Sequence, residues 1–252
     1  MNKIALITGA TSGIGKATAF KLAEIGYSVI ITGRRTERLM ELEHKIKTEY
    51  KVMALSLNFD ISKRIEVEKA FEKLPNEWKN IDVLVNNAGL AAGLGPLQTG
   101  SIDDWERMID TNLKGLLYIT RKVSPIMVSR KSGHIINIGS IAGKEVYANG
   151  NVYCGTKHAV DALSKAMRID MLQYGVKVTA IHPGMVETEF SIVRFAGDKS
   201  AADKVYEGLT PLYANDIADA VVFSVTRPPH VNINDMIITP TIQANTVHTI
   251  RK

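Results

Sequence analysis

This sequence predicts one doubly wound α/β domain of about seven parallel strands, with helices on both faces. Three observations carry the expectation. Short apolar runs alternate with longer amphipathic stretches along the whole chain, the pattern of a sheet built from strand–helix–strand units. The first run passes through Thr8-Gly9-Ala10-Thr11-Ser12-Gly13-Ile14-Gly15 directly into an amphipathic stretch, a strand, tight turn and helix in succession. Across 252 residues there is no linker, repeat or low-complexity segment, so residues 1–252 are expected to form a single domain.

The elements follow in order. Residues 4–8 form a short apolar strand closed by the glycines, and 14–25 an amphipathic helix. Residues 28–32 make a second strand, 37–50 a charged amphipathic helix and 52–57 a third strand. A helix over 65–74 stops at Pro75, which cannot continue it. Residues 82–85 read as a buried fourth strand, and 102–129 as a long helical region that Pro125 should bend or break. A fifth strand at 134–138 precedes a helix over 151–174, and a sixth strand lies at 177–181. The mixed pattern of 188–208 suits a flap over a site better than a core helix. Residues 215–225 are helical, capped by Asn215 or the residue before it, and 236–239 are the last strand.

Composition narrows the class. A hydrophobic content of 45% with 23% charged residues is that of a soluble globular protein. No apolar signal region and no run of 18 apolar residues is present, which makes the cytoplasm the expected location and argues against a membrane role. The single cysteine, Cys154, excludes an internal disulfide, and the six scattered histidines show no ligand spacing, so no metal is expected. The net charge of +5 comes from basic residues dispersed among acids, without an aromatic-basic platform. It suits an anionic cofactor and substrate better than nucleic acid.

Two motifs carry chemistry. Glycines at a strand-to-helix turn let the backbone approach a pyrophosphate, whose charge meets amide N–H groups at the helix start. The spacing Gly-x-x-x-Gly-x-Gly departs from the usual dinucleotide fingerprint, but its place in the chain makes a Rossmann-like dinucleotide site the better reading. At the end of the second strand, Gly33-Arg34-Arg35 with Arg38 beyond stands where a cofactor without the extra phosphate would need an acid. Guanidinium groups suit a 2′-phosphate, so NADP(H) is expected. Tyr153 and Lys157, four apart, share one helical face. A lysine cation there would stabilise the phenolate and lower a pKa that ordinarily lies near 10.

Four further segments fall in order: Asn86-Asn87-Ala88-Gly89, Asp110-Thr111-Asn112, Gly139-Ser140 and Pro183-Gly184-Met185-Val186-Glu187-Thr188. With the glycine turn and the Tyr153/Lys157 pair, they resemble the short-chain dehydrogenase/reductase family over essentially the whole chain. The resemblance implies a catalytic set of Asn112, Ser140, Tyr153 and Lys157. Ser140 would hold the substrate oxygen, Tyr153 act as acid/base, Lys157 lower its pKa and bind the nicotinamide ribose, and Asn112 anchor a proton-relay water through its backbone. On the cofactor side it implies Gly9, Ser12, Gly13 and Ile14 at the pyrophosphate and Arg34 and Arg35 at the 2′-phosphate. Asp60 and Ile61 would lie at the adenine, Asn86 and Ala88 further along, and Pro183, Gly184, Val186 and Thr188 at the nicotinamide carboxamide.

The segments 32–39, 104–112, 188–195 and 231–234 look like one subgroup, the NADP-dependent 3-hydroxy acid dehydrogenases. That implies oxidation of serine, L-allo-threonine or a small acid such as 3-hydroxypropionate to the 3-oxo acid. Arg194 is then a candidate partner for the substrate carboxylate. Val146, Tyr147, Asn151 and Phe190 are candidate pocket walls by position. The terminal run 239–245 also looks like the subgroup, which implies packing between subunits of a homotetramer. His182 departs from the acid or small residue often found before this Pro-Gly; it is either a strand-end residue without a role or a source of positive potential near the site. A broad carbonyl reductase of the same family and a non-enzymatic cofactor-binding regulator remain as alternatives.

Overall fold

A computed structural model describes residues 3–252. The chain runs β1 (Ile4–Ile7), α1 (Gly13–Glu24), β2 (Ser28–Gly33), α2 (Thr36–Glu49), β3 (Ala54–Asn58), α3 (Arg64–Glu72), β4 (Ile81–Asn86), α4 (Ile102–Ile109), α5 (Leu116–Arg130), β5 (Gly133–Ile138) and α6 (Asn151–Met171). It continues through β6 (Val176–Pro183), β7 (Val186–Glu187), α7 (Phe190–Arg194), α8 (Lys199–Lys204), β8 (Leu212–Tyr213), α9 (Ala214–Val225) and β9 (Asp235–Ile238). Seven strands form one parallel sheet in the order β3-β2-β1-β4-β5-β6-β9. The predicted fold class and strand count are therefore those of the structure.

The strands read as unbroken apolar runs because both faces are covered. Ala5 and Ile7 of β1 pack with Leu22, Leu39 and Val221 under α1, α2 and α9. Ile4 and Leu6 point the other way, to Val67, Ile119, Val123 and Met167 under α3, α5 and α6. Alternation along each strand thus feeds two cores separated by the sheet.

Several boundaries differ from expectation for physical reasons. The 102–129 region is not one regular helix: a π-helical turn, Asp110–Gly115, joins α4 to α5. Pro125 does not break α5, because Ile119, Val123 and Met127 are fully buried on its inner face and packing holds the helix where one backbone hydrogen bond is lost. The helix carrying Tyr153 ends at Met171, followed by a tight turn to Gly175 with positive φ. The cap of α9 is Tyr213 rather than Asn215, since the Asp216 carboxylate accepts the Tyr213 N–H at 2.7 Å. The flap at 188–208 carries two short helices, α7 and α8, and a small parallel pair, β7 with β8, ties its ends together. Among the described residues, no helix is long and apolar enough to cross a membrane.

Candidate active site

The strand order reverses beside β1, where β2 lies on one side and β4 on the other. Chains from neighbouring strand ends leave in opposite directions there, and a crevice opens at the carboxyl edge of the sheet. A cleft of about 620 Å³ occupies this place.

Its floor is the turn between β1 and α1. Gly9 and Gly13 have φ of +66° and +51°, which glycine alone adopts freely. A Cβ on Gly9 would lie 2.9 Å from the Ala88 Cα, and one on Gly15 would lie 2.4 Å from the Gly9 carbonyl oxygen. The bare backbone is thus needed both for its shape and for close approach, which fits a pyrophosphate cradle. Gly9, Ser12, Gly13 and Ile14 line the cleft, as do Arg34, Arg35, Asp60, Ile61 and Ala88. So do Pro183, Gly184, Val186 and Thr188.

Asn86 is a correction. It is buried, and its Nδ2 donates to Thr120 Oγ1 and to Asn137 Oδ1, within the sheet and away from the cleft. Its neighbour Asn87 takes the place at the edge, donating from Nδ2 to the carbonyls of Thr8 and Gly9 and so bracing the glycine turn. Adjacent strand residues point to opposite faces, so only one of the two asparagines could face the cleft.

The other wall carries the reactive groups. Ser140 caps the short helical turn Ile141–Gly143, its Oγ accepting the Ala142 N–H at 3.1 Å. Tyr153 and Lys157 lie in the cleft on α6, almost wholly buried. Lys157 Nζ donates to the Ile138 carbonyl at 3.0 Å and sits 6.0 Å from the Tyr153 ring centroid. Burial lowers the Lys157 pKa from its ordinary value to about 8. Burial also pushes Tyr153 upward, opposed by the Ser140 side chain and by Arg194. This differs from the expectation that Lys157 draws Tyr153 down. The ammonium points at a main-chain carbonyl, and the phenol's apolar setting outweighs the charges around it.

Asn112 lies beneath the cleft in the π-helical turn, 2% exposed. Its amide pairs with the Leu90 main chain in both directions at 2.8 Å and donates to Thr156 Oγ1. A widened turn also interrupts the regular carbonyl bonding of the helix, a device common at functional sites.

Of the candidate walls, Tyr147, Phe190 and Arg194 line the cleft. The Arg194 guanidinium stands 5.5 Å from the Tyr147 ring centroid and 5.8 Å from that of Tyr153. Two expectations fail. Val146 is 67% exposed and lies outside the cleft, one residue before Tyr147, where the chain turns inward. Asn151 is also not a wall: its Nδ2 donates to the Gly95 carbonyl at 2.9 Å and pins the loop over the helix start. Cys154, 1% exposed, packs with Tyr153 and Met108, and burial raises its thiol. It has the standing of a small core residue.

The chain end was not anticipated here. Gln243 Oε1 accepts the Met185 N–H at 2.9 Å, while Thr246 and Arg251 reach the cleft rim. The tail folds back on its own flap, with the Lys252 N–H donating to the Gly208 carbonyl. No local pattern marks such a return, because long-range contacts alone decide it.

A sheet crossing over at the cleft, a glycine cradle and a serine, tyrosine and lysine gathered on one wall define a dinucleotide-dependent oxidoreductase site. The short chain dehydrogenase family profile matches residues 3–198, and the chain belongs to that family. It is 50% identical over 242 residues, 96% of each chain, to the NADP-dependent 3-hydroxy acid dehydrogenase YdfG of Salmonella typhi. It is 43% identical to the NADP-dependent 3-hydroxy acid dehydrogenase of Schizosaccharomyces pombe, covering 99% of this chain and 97% of that one. Among solved structures it is similar to the closed form of serine dehydrogenase complexed with NADP+, with a TM-score of 0.92, 46% identity and 99% of each chain covered.

Proposed function

We propose that this protein is an NADP-dependent dehydrogenase of small 3-hydroxy acids such as serine, L-allo-threonine or 3-hydroxypropionate. The observation that carries the substrate class is Arg194, a guanidinium held over the rings of Tyr147 and Tyr153. Its Nε donates to the Gly93 carbonyl at 3.3 Å, which fixes the head above the reacting phenol. A carboxylate two carbons from the hydroxyl can meet that cation while the hydroxyl lies between Ser140 and Tyr153. The names of the relatives at 50% and 43% identity agree with this reading.

In the oxidative direction Ser140 Oγ holds the substrate hydroxyl and Tyr153 Oη takes its proton. The Ser140 side chain and Arg194, 5.8 Å from the Tyr153 ring centroid, favour the phenolate that this requires. Burial favours the neutral phenol, so in the reverse direction Tyr153 gives its proton to the carbonyl oxygen. Lys157, with Asn112 below it, passes protons to and from Tyr153. The chemistry NADP+ supplies when bound is acceptance of the hydride from the hydroxyl-bearing carbon. The glycine turn would hold its pyrophosphate and Arg34 its 2′-phosphate; Arg35, expected beside Arg34, has its guanidinium nitrogens taken up by Thr11, Ser12 and Glu189.

The enzyme is read as a cytoplasmic homotetramer. For the oligomer, the support is that Ile169 and Leu172 at the end of the α6 region and Val247 and Ile250 on the tail are well exposed apolar residues that subunit contacts would cover.

The test is NADPH formation from L-serine, L-allo-threonine, 3-hydroxypropionate and a neutral secondary alcohol, with Arg194→Ala and Tyr153→Phe alongside. Arg194→Ala should lower kcat/KM for the acids by roughly 10- to 100-fold more than for the alcohol, which loses only the help Arg194 gives the phenolate. An unchanged value for the acids removes Arg194 from substrate binding. Turnover confined to the alcohol favours the broad carbonyl reductase.

A further inference from the structure

His182, at the end of β6, is fully buried although it belongs to none of the groups assigned above. Its ring faces the turn that carries Ser140. Nδ1 lies 3.1 Å from the Ser140 carbonyl oxygen. A carbonyl only accepts, so Nδ1 carries the ring proton and donates. The same carbonyl also accepts the Gly143 N–H at 2.8 Å, closing the turn.

Two glycines show how tightly that turn is held. A Cβ on Gly139 would lie 2.5 Å from His182 Nδ1, and one on Gly143 would lie 2.5 Å from the Lys157 carbonyl oxygen. The Ser140 turn is therefore clamped between the His182 ring and the backbone of the helix that bears Tyr153 and Lys157. No side chain larger than hydrogen fits at either jaw.

Behind the ring lies a cluster of charges from the remaining elements. Nε2 stands 3.3 Å from Asp235 Oδ1 on β9 and 3.6 Å from Asp161 Oδ1 on α6, one turn beyond Lys157. Lys144, just past the Ser140 turn, donates to Asp161 at 2.8 Å and to Asp235 at 2.5 Å, and Lys165 adds a second bond to Asp161. The three groups Asp161, His182 and Asp235 have ligand atoms within 4.8 Å of one another, but the Lys144 ammonium already stands between the carboxylates as their counter-ion. The cluster reads as a brace rather than a metal site. Nε2 has no hydrogen-bond partner, so the bond to Ser140 is the one directed contact the ring makes.

We propose that His182 is a positioning residue for the reaction, whose Nδ1–H fixes the Ser140 turn against the catalytic helix and so sets the Ser140 hydroxyl beside Tyr153. It acts through Ser140 and touches neither substrate nor cofactor. The inference rests on the reading that Ser140 holds the substrate oxygen.

Three substitutions separate the donor from the bulk and from the carboxylates. His182→Asn keeps an N–H at the Nδ1 position and gives up volume. His182→Gln places its amide near Nε2, toward the carboxylates, and loses the donor to Ser140. His182→Leu keeps volume and loses both. Turnover is measured with the substrate the wild type uses best, NADPH binding is followed by nicotinamide fluorescence, and Tm is recorded for each variant. His182→Asn should hold kcat within about threefold of wild type, while Gln and Leu lower it by roughly tenfold at unchanged NADPH affinity. Ser140→Ala combined with His182→Gln should be no slower than Ser140→Ala alone, since both changes remove one function.

The proposal is overturned if Gln keeps kcat and Asn loses it, if kcat follows Tm across the three, or if the double variant shows the product of the two losses. Should His182→Leu fail to fold, the Asn and Gln pair still decides the matter. If Ser140→Ala alone leaves kcat intact, the Ser140 reading fails first and the His182 proposal falls with it. A large Ser140→Ala loss with equal Asn and Gln rates removes His182 only.

Discussion

Glu189 Oε2 of the flap accepts a bond from Arg35 Nη1 at 2.7 Å, across 154 positions of sequence. The other nitrogens of Arg35 are also taken: Nε and Nη2 donate to Thr11 Oγ1 and Nη2 to Ser12 Oγ. Arg38 Nη1 completes the grip on Glu189 at 2.7 Å. Arg34, by contrast, is 66% exposed in its side chain and approaches only Asp60, at 3.7 Å. The two neighbouring arginines are therefore in different situations, and their variants should separate. Arg34→Ala is expected to cut the preference for NADP+ over NAD+ in kcat/KM by roughly 10- to 100-fold, the worth of one charge-assisted phosphate contact. Arg35→Ala should weaken both cofactors together and leave their ratio within about threefold, because what it removes is the tie between glycine turn and flap. Being partly exposed, that tie is worth only about 1 kcal/mol or less. Kinetics with both cofactors distinguish the two outcomes.

Lys157 should make stability depend on pH in the alkaline range. Burial lowers its pKa to about 8 from the ordinary 10.5, so above pH 8 the unfolded chain holds this proton more firmly than the folded one. Stability from this group therefore rises with pH between about 8 and 10.5, and the burial cost is felt in full below 8. Lys157→Met removes that cost. Its gain in Tm over wild type should be largest near pH 7 and shrink as pH climbs through 8 toward 10.5. A gap that stays constant across that range would show that the lysine does not titrate as described.

His134 gives the acid counterpart. The Thr179 hydroxyl donates to the Ile233 carbonyl at 2.6 Å, so at the 2.8 Å contact with His134 it must accept, and Nε2 carries the ring proton. Burial first, and Lys177 second, lower the His134 pKa to about 3. Below the unfolded value near 6.5 the unfolded chain takes up a proton that the folded one refuses, and stability falls from there to about pH 3. His134→Gln can keep the bond to Thr179 without titrating. Unfolding free energies from denaturant titrations should fall less steeply for the variant between pH 6.5 and 3, by up to about 5 kcal/mol in all. Parallel curves would refute the assignment.

Val146 and Tyr147 are adjacent, yet only Tyr147 lines the cleft. Val146→Ser is expected to leave kcat and KM unchanged within about twofold, as surface changes usually do. Tyr147→Ala removes a ring that Arg194 packs on and should raise KM for hydroxy acids more than for a neutral alcohol. Side-by-side kinetics on the two substrates measure this.

The sheet was legible because its strands, buried on both faces, are continuous apolar runs such as residues 4–7 and 29–31. The glycine turn, Ser140 and the Tyr153/Lys157 pair were legible because each is a short contiguous motif. What escaped depends on geometry that composition does not record. The π-helical turn at Asp110–Gly115 changes the hydrogen-bond register without changing residue type. Whether Asn86 or Asn87 faces the cleft turns on one step of strand alternation. The places of Val146 and Asn151 depend on where a loop bends. Gln243 reaches Met185 over 58 residues, and His182 reaches Asp161 and Asp235 only once three elements have packed.

Cys154 is the one thiol in the sequence, and it lies shut in the apolar cluster that also holds Tyr153. The molecule therefore carries its own stopwatch. A thiol-directed reagent can reach the sulfur only when the start of α6 breathes, so the labelling rate reports how often the reacting wall comes apart. No probe has to be engineered in, and the same readout with NADP+ or a hydroxy acid added reveals how far each one quiets that motion.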